Sequence, residues 1–187
     1  LDPLRRSVPG LRVVMEHITT AEAASYAADC GDDLAATITV QHLMLDRNDM
    51  LVGGIRPHFY CLPILKRGTH RPKLVEAAIS GDPSFFLGTD SAPHATDTKE
   101  NACGCAGCFT APVAMSCLAE IFDEAGAIDK LEGFVSLHGP NFYGLPVNTQ
   151  QMALEKGGAI DVPAQVETGA GPVTVFNPGR ALHWRVV

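Results

Sequence analysis

The stretch Leu34–His42 reads Leu-Ala-Ala-Thr-Ile-Thr-Val-Gln-His, an apolar segment that runs directly into polar side chains. A run of this length and composition is typical of a β-strand buried on both faces. We predict a strand over Leu34–Thr39, with Gln41 and His42 just beyond its carboxyl end. The fold prediction starts from this strand, because similar apolar segments that end in polar residues precede and follow it in the sequence.

Two further apolar runs flank the central strand. Leu11–His17 precedes it, and Phe85–Thr89 follows it and leads directly into Asp90. Both runs are short and rich in residues that favour strands. His183–Val187 predicts one more strand at the C-terminus.

Helices are predicted between these strands. Ala21–Ala28 is rich in alanine, and we expect Thr19 to cap it while Glu22 reaches back to close the first turn. Pro72–Ile79 predicts a second helix, which ends at Ser80 and Gly81. Strands that alternate with helices in this way predict an α/β fold with parallel strands.

Composition narrows the classes of protein that the chain can represent. Its 187 residues are 46% hydrophobic, which suffices for one sizeable domain, and we find no linker that would divide residues 1–187. The net charge of −7 argues against binding to nucleic acid. No apolar run approaches the ~20 residues that a membrane span requires.

Polar side chains follow each of the three predicted strands. His17 and His42 come at the ends of the first two, and Asp90, with His94 just beyond it, ends the third. Parallel α/β folds place their chemistry at the carboxyl ends of strands, so a metal or acid–base site is favoured. Zn²⁺ accepts imidazole and carboxylate ligands and lowers the pKa of bound water to ~7, which suits amide or ester hydrolysis. In the alternative, Asp90 and Ser91 only cap a turn.

The segment Cys103-Gly-Cys105-Ala-Gly-Cys108 has two interpretations. A structural zinc site usually takes two separated pairs of ligands, and no partner pair is present in the sequence. A glycine-rich loop at an active site, with incidental thiols, is therefore favoured. Nucleophilic catalysis by a thiol stays open, although nothing in the sequence pairs one cysteine with a base.

Three segments together resemble the dihydroorotases, in their shorter bacterial form within the amidohydrolase superfamily. The resemblance extends from about Leu11 to Asn148, and its most specific segments are Glu16–Thr20, Leu34–Met44 and Gly88–His94. It implies a partial TIM (β/α)8 barrel that comprises only the later strands and the C-terminal segment. It also implies a cytoplasmic homodimer with two zinc ions in each complete active site. The implied reaction interconverts N-carbamoyl-L-aspartate and L-dihydroorotate in de novo pyrimidine biosynthesis.

The resemblance assigns roles to five residues. His17 resembles a histidine ligand of the second zinc. Asp90 resembles the aspartate that binds the first zinc and acts as general base and then as general acid. His94 resembles the residue that holds the substrate carboxylate, and Leu62 and Ala106 resemble positions whose backbone groups contact the pyrimidine ring. His42 also has a counterpart in the family, for which we expect only a supporting role behind the ligands.

Part of the family's ligand set has no counterpart in this chain. The histidine pair of the first strand, the bridging lysine and an earlier histidine are missing, so only His17 and Asp90 remain as ligands. A TIM barrel typically needs ~250 residues, and the chain begins at Leu1 without Met. We therefore expect it to be the later half of a domain and inactive alone. Two alternatives are another amidohydrolase that acts on cyclic amides and a non-catalytic homologue that serves as a binding partner.

Overall fold

The computed structural model describes all residues from Leu1 to Val187. The α-helices are α1 (Asp2–Ser7), α2 (Ala21–Asp29), α3 (Val40–Met44), α4 (Arg47–Leu51), α5 (Arg71–Ile79), α6 (Thr96–Lys99), α7 (Ala114–Glu124) and α8 (His138–Tyr143). The strands are β1 (Val13–Met15), β2 (Leu34–Ile38), β3 (Phe85–Leu87), β4 (Leu154–Lys156), β5 (Gln165–Thr168), β6 (Gly171–Thr174) and β7 (Trp184–Val186). Short 3-10 turns cover Pro57–Phe59, Ala111–Val113 and Ile128–Lys130, and a π-helical turn covers Gly133–Leu137.

The sheet that positions the candidate site consists of β1, β2 and β3 in sequence order. Both pairings are parallel, with Val13 opposite Leu34 and Ala36 opposite Phe85. All five residues of the central strand β2 are buried, as expected for a parallel strand covered on both faces. The predicted α/β fold with three parallel strands is therefore confirmed.

Helices α2 and α5 pack against each other, and both lie close to where the sequence predicted them. The predicted N-terminal cap of α2 is wrong by one residue. The Thr20 side chain, not that of Thr19, accepts a hydrogen bond from the backbone N–H of Ala23. Thr19 is buried instead, and Glu22 lies beside the imidazole of His70. Thr20 has the extended backbone of a cap residue, so it caps the helix in place of Thr19.

The C-terminal segment forms two small antiparallel pairs. Strand β7 pairs with β4, and β5 pairs with β6. The predicted terminal strand is thus present, whereas its partner and the second pair were not predicted. Residues of this segment, Val175, Phe176 and Leu182, enter the same buried cluster as the helices and the parallel sheet.

The buried cluster extends from Ile18 to Leu182 and includes one long face of α7. At its centre the rings of Phe122 and Phe134, both fully buried, lie 5.6 Å apart. Residues of β2 and β3 are themselves part of this cluster. None of the helices combines the length and the apolar character needed to cross a membrane.

Candidate active site

His17 and Asp90 share an unusual backbone conformation at the ends of two strands. His17 lies two residues beyond β1, and Asp90 lies three residues beyond β3. Their φ angles are 41° and 40°, and no other residue except glycines has a positive φ. Such a conformation is uncommon for residues with a side chain, and it is found preferentially at functional sites. The two predicted metal ligands are thus the two strained positions of the chain.

Thr37 on the central strand controls the local geometry of both flanking strand ends. Its hydroxyl accepts a hydrogen bond of 2.7 Å from the backbone N–H of His17, and its carbonyl accepts one of 2.9 Å from Ile18. On the other side, the absence of a side chain at Gly88 makes room for Thr37, because a Cβ there would lie 2.6 Å from the Thr37 Cβ. Thr37 therefore contacts both flanking segments: it binds the backbone of His17 and Ile18, and it packs against Gly88, two residues before Asp90.

The side chains of His17 and Asp90 are suited to bind a ligand from outside the chain. The Nδ1 atom of His17 is buried and has no hydrogen-bond partner. A buried polar atom without a partner is costly, so an additional group is expected there. The Asp90 side chain, by contrast, is exposed.

The chain by itself does not assemble a complete set of metal ligands. No group of three or more His, Cys, Asp or Glu side chains lies close enough to hold a metal ion. His17 and Asp90 follow β1 and β3, which lie on opposite sides of β2. All six cysteines are free thiols.

The residues predicted to contact the substrate, Leu62, His94 and Ala106, form a second group. The Nε2 atom of His94 lies 3.0 Å from the carbonyl oxygen of Ala106, so the structure brings these two predicted residues together. Leu62, which is 59% exposed, belongs to a segment that is joined to the cysteine loop. The backbone N–H of Gly107 donates to the carbonyl of Tyr60 at 2.9 Å. The structure thus places Leu62, His94 and Ala106 on three connected segments.

His42 does not point its ring nitrogens to a free site. It is buried, with Nδ1 at 2.7 Å from the Thr39 hydroxyl and Nε2 at 2.8 Å from the Pro63 carbonyl. Both nitrogens are therefore engaged within the protein, and the side chain connects α3 to the segment that carries Leu62. A supporting role remains a prediction for this histidine.

Two buried thiols, those of Cys61 and Cys108, belong to the same segments. A hydrogen bond from the Cys108 thiol lowers the pKa of Cys61 to about 5, although burial opposes this shift. The same hydrogen bond, together with burial, raises the pKa of Cys108. The Cys61 sulfur also lies 3.9 Å from Nε2 of His42, and this contact lowers the pKa of Cys61 further.

Lys99 lies in a segment that resembles the family, but the sequence alone assigns it no role. It is only 4% exposed, and its ammonium group lies between the segment that carries Leu62 and the cysteine loop. In the sequence it stands in a polar segment, Thr96–Glu100, with no apolar pattern that would signal burial. Only the three-dimensional arrangement of backbone carbonyls identifies it.

No family model matches the chain. The chain is 65% identical over 186 residues to a dihydroorotase from Ruegeria pomeroyi and 58% identical to one from Cereibacter sphaeroides. Over its whole length the chain resembles dihydroorotases. In both cases the match takes in 100% of this chain but 54% of the relative, so the chain spans about half the length of the curated relatives it matches. This share agrees with the predicted resemblance to a C-terminal portion of a dihydroorotase.

Solved structures support the same relationship. The dihydroorotase from Saccharomyces cerevisiae, solved in complex with 5-fluoroorotic acid, matches with a TM-score of 0.89 and 32% identity. The dihydroorotase from Campylobacter jejuni matches with a TM-score of 0.87 and 34% identity. Each match covers 100% of this chain and 54% of the solved chain. A D-hydantoinase from Thermus shares the fold alone, with a TM-score of 0.69 and 18% identity.

Proposed function

We propose that this chain is the later part of a zinc-dependent dihydroorotase that interconverts N-carbamoyl-L-aspartate and L-dihydroorotate in de novo pyrimidine biosynthesis. One observation carries the proposal. The only two non-glycine residues with left-handed backbone, His17 and Asp90, follow parallel strands in a chain that is 65% identical to a dihydroorotase. Strain of this kind persists where the local geometry serves a function.

The proposed architecture is a partial TIM barrel that belongs to a single domain. Strands β1, β2 and β3 would be later strands of the barrel, and their carboxyl ends would form part of its catalytic mouth. Parallel pairing of the three strands and the likeness to solved dihydroorotases support this placement. By the same resemblance, the complete enzyme would be a cytoplasmic homodimer that acts on a small molecule.

The donors in this chain fit a share of a zinc site. His17 offers a buried Nδ1 that lacks a partner, and Asp90 offers an exposed carboxylate. Imidazole nitrogen and carboxylate oxygen are both accepted by Zn²⁺. Bound zinc ions would polarise the ring amide carbonyl of the substrate and activate a water molecule. The other ligands would have to come from outside this chain, so we propose that the chain alone is inactive.

The chain's own residues would move the proton and orient the substrate. Asp90 would accept the proton of the attacking water and return it to the ring nitrogen that leaves. His94 would bind the substrate carboxylate. Because its Nε2–H donates to the Ala106 carbonyl, its Nδ1 can donate to an anion only when the ring is doubly protonated. Backbone groups of Leu62 and Ala106 would contact the pyrimidine ring.

The proposal is tested by comparing Asp90→Asn with Asp97→Asn in the complete enzyme. Asp97 is an exposed aspartate in the same segment, so its substitution controls for the loss of a negative charge. We expect Asp90→Asn to abolish dihydroorotate hydrolysis while binding of 5-fluoroorotate stays measurable, and Asp97→Asn to retain normal turnover. Near-normal turnover in Asp90→Asn would refute the assignment. Hydrolysis by the isolated 187-residue chain would refute the claim that it is inactive alone.

A further inference from the structure

Lys99 is buried in a way that is unusual for a lysine. It is the only lysine or arginine in the buried interior of the chain, with 4% of its surface exposed. Removing an ammonium group from water is costly unless its hydrogen bonds are replaced. Burial accordingly lowers the pKa of Lys99, and the neighbouring thiols of Cys108 and Cys61 partly oppose this effect.

The ammonium group replaces its lost hydrogen bonds with three backbone carbonyls. Its Nζ donates to Gly107 at 2.6 Å, to Cys105 at 2.7 Å and to Tyr60 at 3.2 Å. An ammonium group has three protons, so all of its donors are used. The acceptors come from two segments that are far apart in sequence, one that contains Tyr60 and one that contains the cysteine loop.

The three carbonyls surround the positions that would contact the pyrimidine ring. Cys105 and Gly107 are the two neighbours of Ala106, whose own carbonyl lies 3.0 Å from His94 Nε2. The Cys105 carbonyl and the Ala106 N–H belong to one peptide group, so a cation on the oxygen fixes and polarises that N–H. Tyr60 stands two residues before Leu62. Lys99 therefore holds both loops in one arrangement.

We propose that Lys99 is a positioning residue for the subsite that binds the pyrimidine ring, because it clamps the loops that carry Leu62 and Ala106 through their carbonyls. This inference rests on the function proposed above. It predicts that removing the ammonium group weakens substrate binding, because the backbone groups of the ring subsite are no longer held in place. It also predicts that the chemical step, which depends on Asp90, changes little.

Kinetics of Lys99→Met in the complete enzyme test this prediction. Methionine has a similar length and no donor, and Lys73→Met removes an exposed lysine from α5 as a control. We expect KM for dihydroorotate to rise about tenfold, as for the loss of one good hydrogen bond, while kcat stays within about threefold. A purely structural role would lower kcat by reducing the active fraction and would leave KM unchanged, and that result would overturn the inference.

A second measurement does not depend on activity. Cys108 in the loop and Cys117 in α7 both have 0% exposure, so their labelling by a maleimide reports how each region opens. In the complete enzyme, we expect Lys99→Met to label Cys108 at least about tenfold faster than the unsubstituted enzyme does, with Cys117 unchanged. Equal acceleration at both cysteines indicates global unfolding and counts against a local clamp, as does no acceleration at either.

The two experiments separate this inference from the function on which it rests. If the complete unsubstituted enzyme does not hydrolyse dihydroorotate, the proposed function fails, whereas selective labelling of Cys108 still establishes the clamp on the loops. If hydrolysis is normal but KM is unchanged in Lys99→Met, the positioning role fails and the proposed function stands. Lys99→Gln, which keeps an amide donor, should give an intermediate KM, and a KM as high as that of methionine would count against the role of hydrogen bonding.

Discussion

Substitution of Gly88 by alanine should disturb the backbone around His17, although the two residues lie beyond different strands. An added Cβ at Gly88 would lie 2.6 Å from the Cβ, 2.7 Å from the hydroxyl oxygen and 3.2 Å from the methyl group of Thr37. Ordinary van der Waals contact begins at 3.4 Å, so Thr37 would have to move. Its hydroxyl accepts the backbone N–H of His17, and that hydrogen bond would be strained or lost.

The expected loss of stability in Gly88→Ala has two contributions. Overpacking in a closely packed region typically costs about 1–3 kcal/mol. Loss of the hydrogen bond from His17 to Thr37 costs about 1 kcal/mol more. We therefore expect Gly88→Ala to lower the free energy of unfolding of the 187-residue chain by about 2–4 kcal/mol. Gly157→Ala is the matched control, because a Cβ there meets nothing within 4 Å and its φ is not positive, and it should change stability by less than about 1 kcal/mol.

Urea unfolding followed by circular dichroism measures these changes, and a double-mutant cycle assigns their cause. Thr37→Gly removes the three atoms that would lie nearest to the new Cβ. In that background Gly88→Ala should cost less than about 0.5 kcal/mol, which gives a coupling energy of about 2 kcal/mol or more. An equal cost in both backgrounds, or a cost no larger than that of Gly157→Ala, would refute the steric argument.

Two further predictions concern the packing of α7. Burial raises the pKa of the Glu120 carboxyl, but hydrogen bonds from the backbone and imidazole of His183 outweigh it and hold this pKa below 4.5. The stability that this carboxylate contributes is therefore present above pH 4.5 and lost as the pH falls through the folded-state pKa. Urea unfolding at several pH values should show a smaller acid-induced loss in Glu120→Gln than in the exposed control Glu132→Gln, and equal losses would contradict the prediction. Phe122→Ala should cost about 3–5 kcal/mol, because its fully buried ring packs on Phe134, and a loss below about 1.5 kcal/mol would show that the cavity collapses.

The sequence predicts the parallel sheet well because its signal is local. Apolar runs around β1, β2 and β3 are each bounded by polar residues, so both the strands and their ends can be located. The small antiparallel pairs are a different case. The segment Gln165–Thr168 is exposed throughout and lacks an apolar alternation, and its pairing with Gly171–Thr174 depends on a tight turn. Periodicity carries little information about such a strand.

The sequence likewise predicts some features of the candidate site and not others. The positions of His17 and Asp90 at strand ends follow from the sequence, whereas their left-handed backbone does not. Histidine and aspartate adopt this conformation more often than most residues with a side chain, but still only at a small minority of positions. Lys99 could not be predicted either, since its burial depends on carbonyls from a loop that is distant in sequence. The sequence thus shows which side chains could take part in catalysis, whereas the backbone conformation of His17 and Asp90 and the contacts of Lys99 are visible only in the structure.

Two residues with an energetically costly conformation, His17 and Asp90, lie at the carboxyl ends of the two outer parallel strands, β1 and β3. A strained backbone at His17 and at Asp90 costs of order 1–3 kcal/mol each, and the unpartnered Nδ1 of His17 adds a desolvation cost. Folding alone would favour glycine at both strained positions. Neither position packs into the apolar core, which the parallel strands and α7 complete without them. Their cost is therefore best explained by a group that these side chains bind, and this stability argument reaches the same two residues as the chemical one.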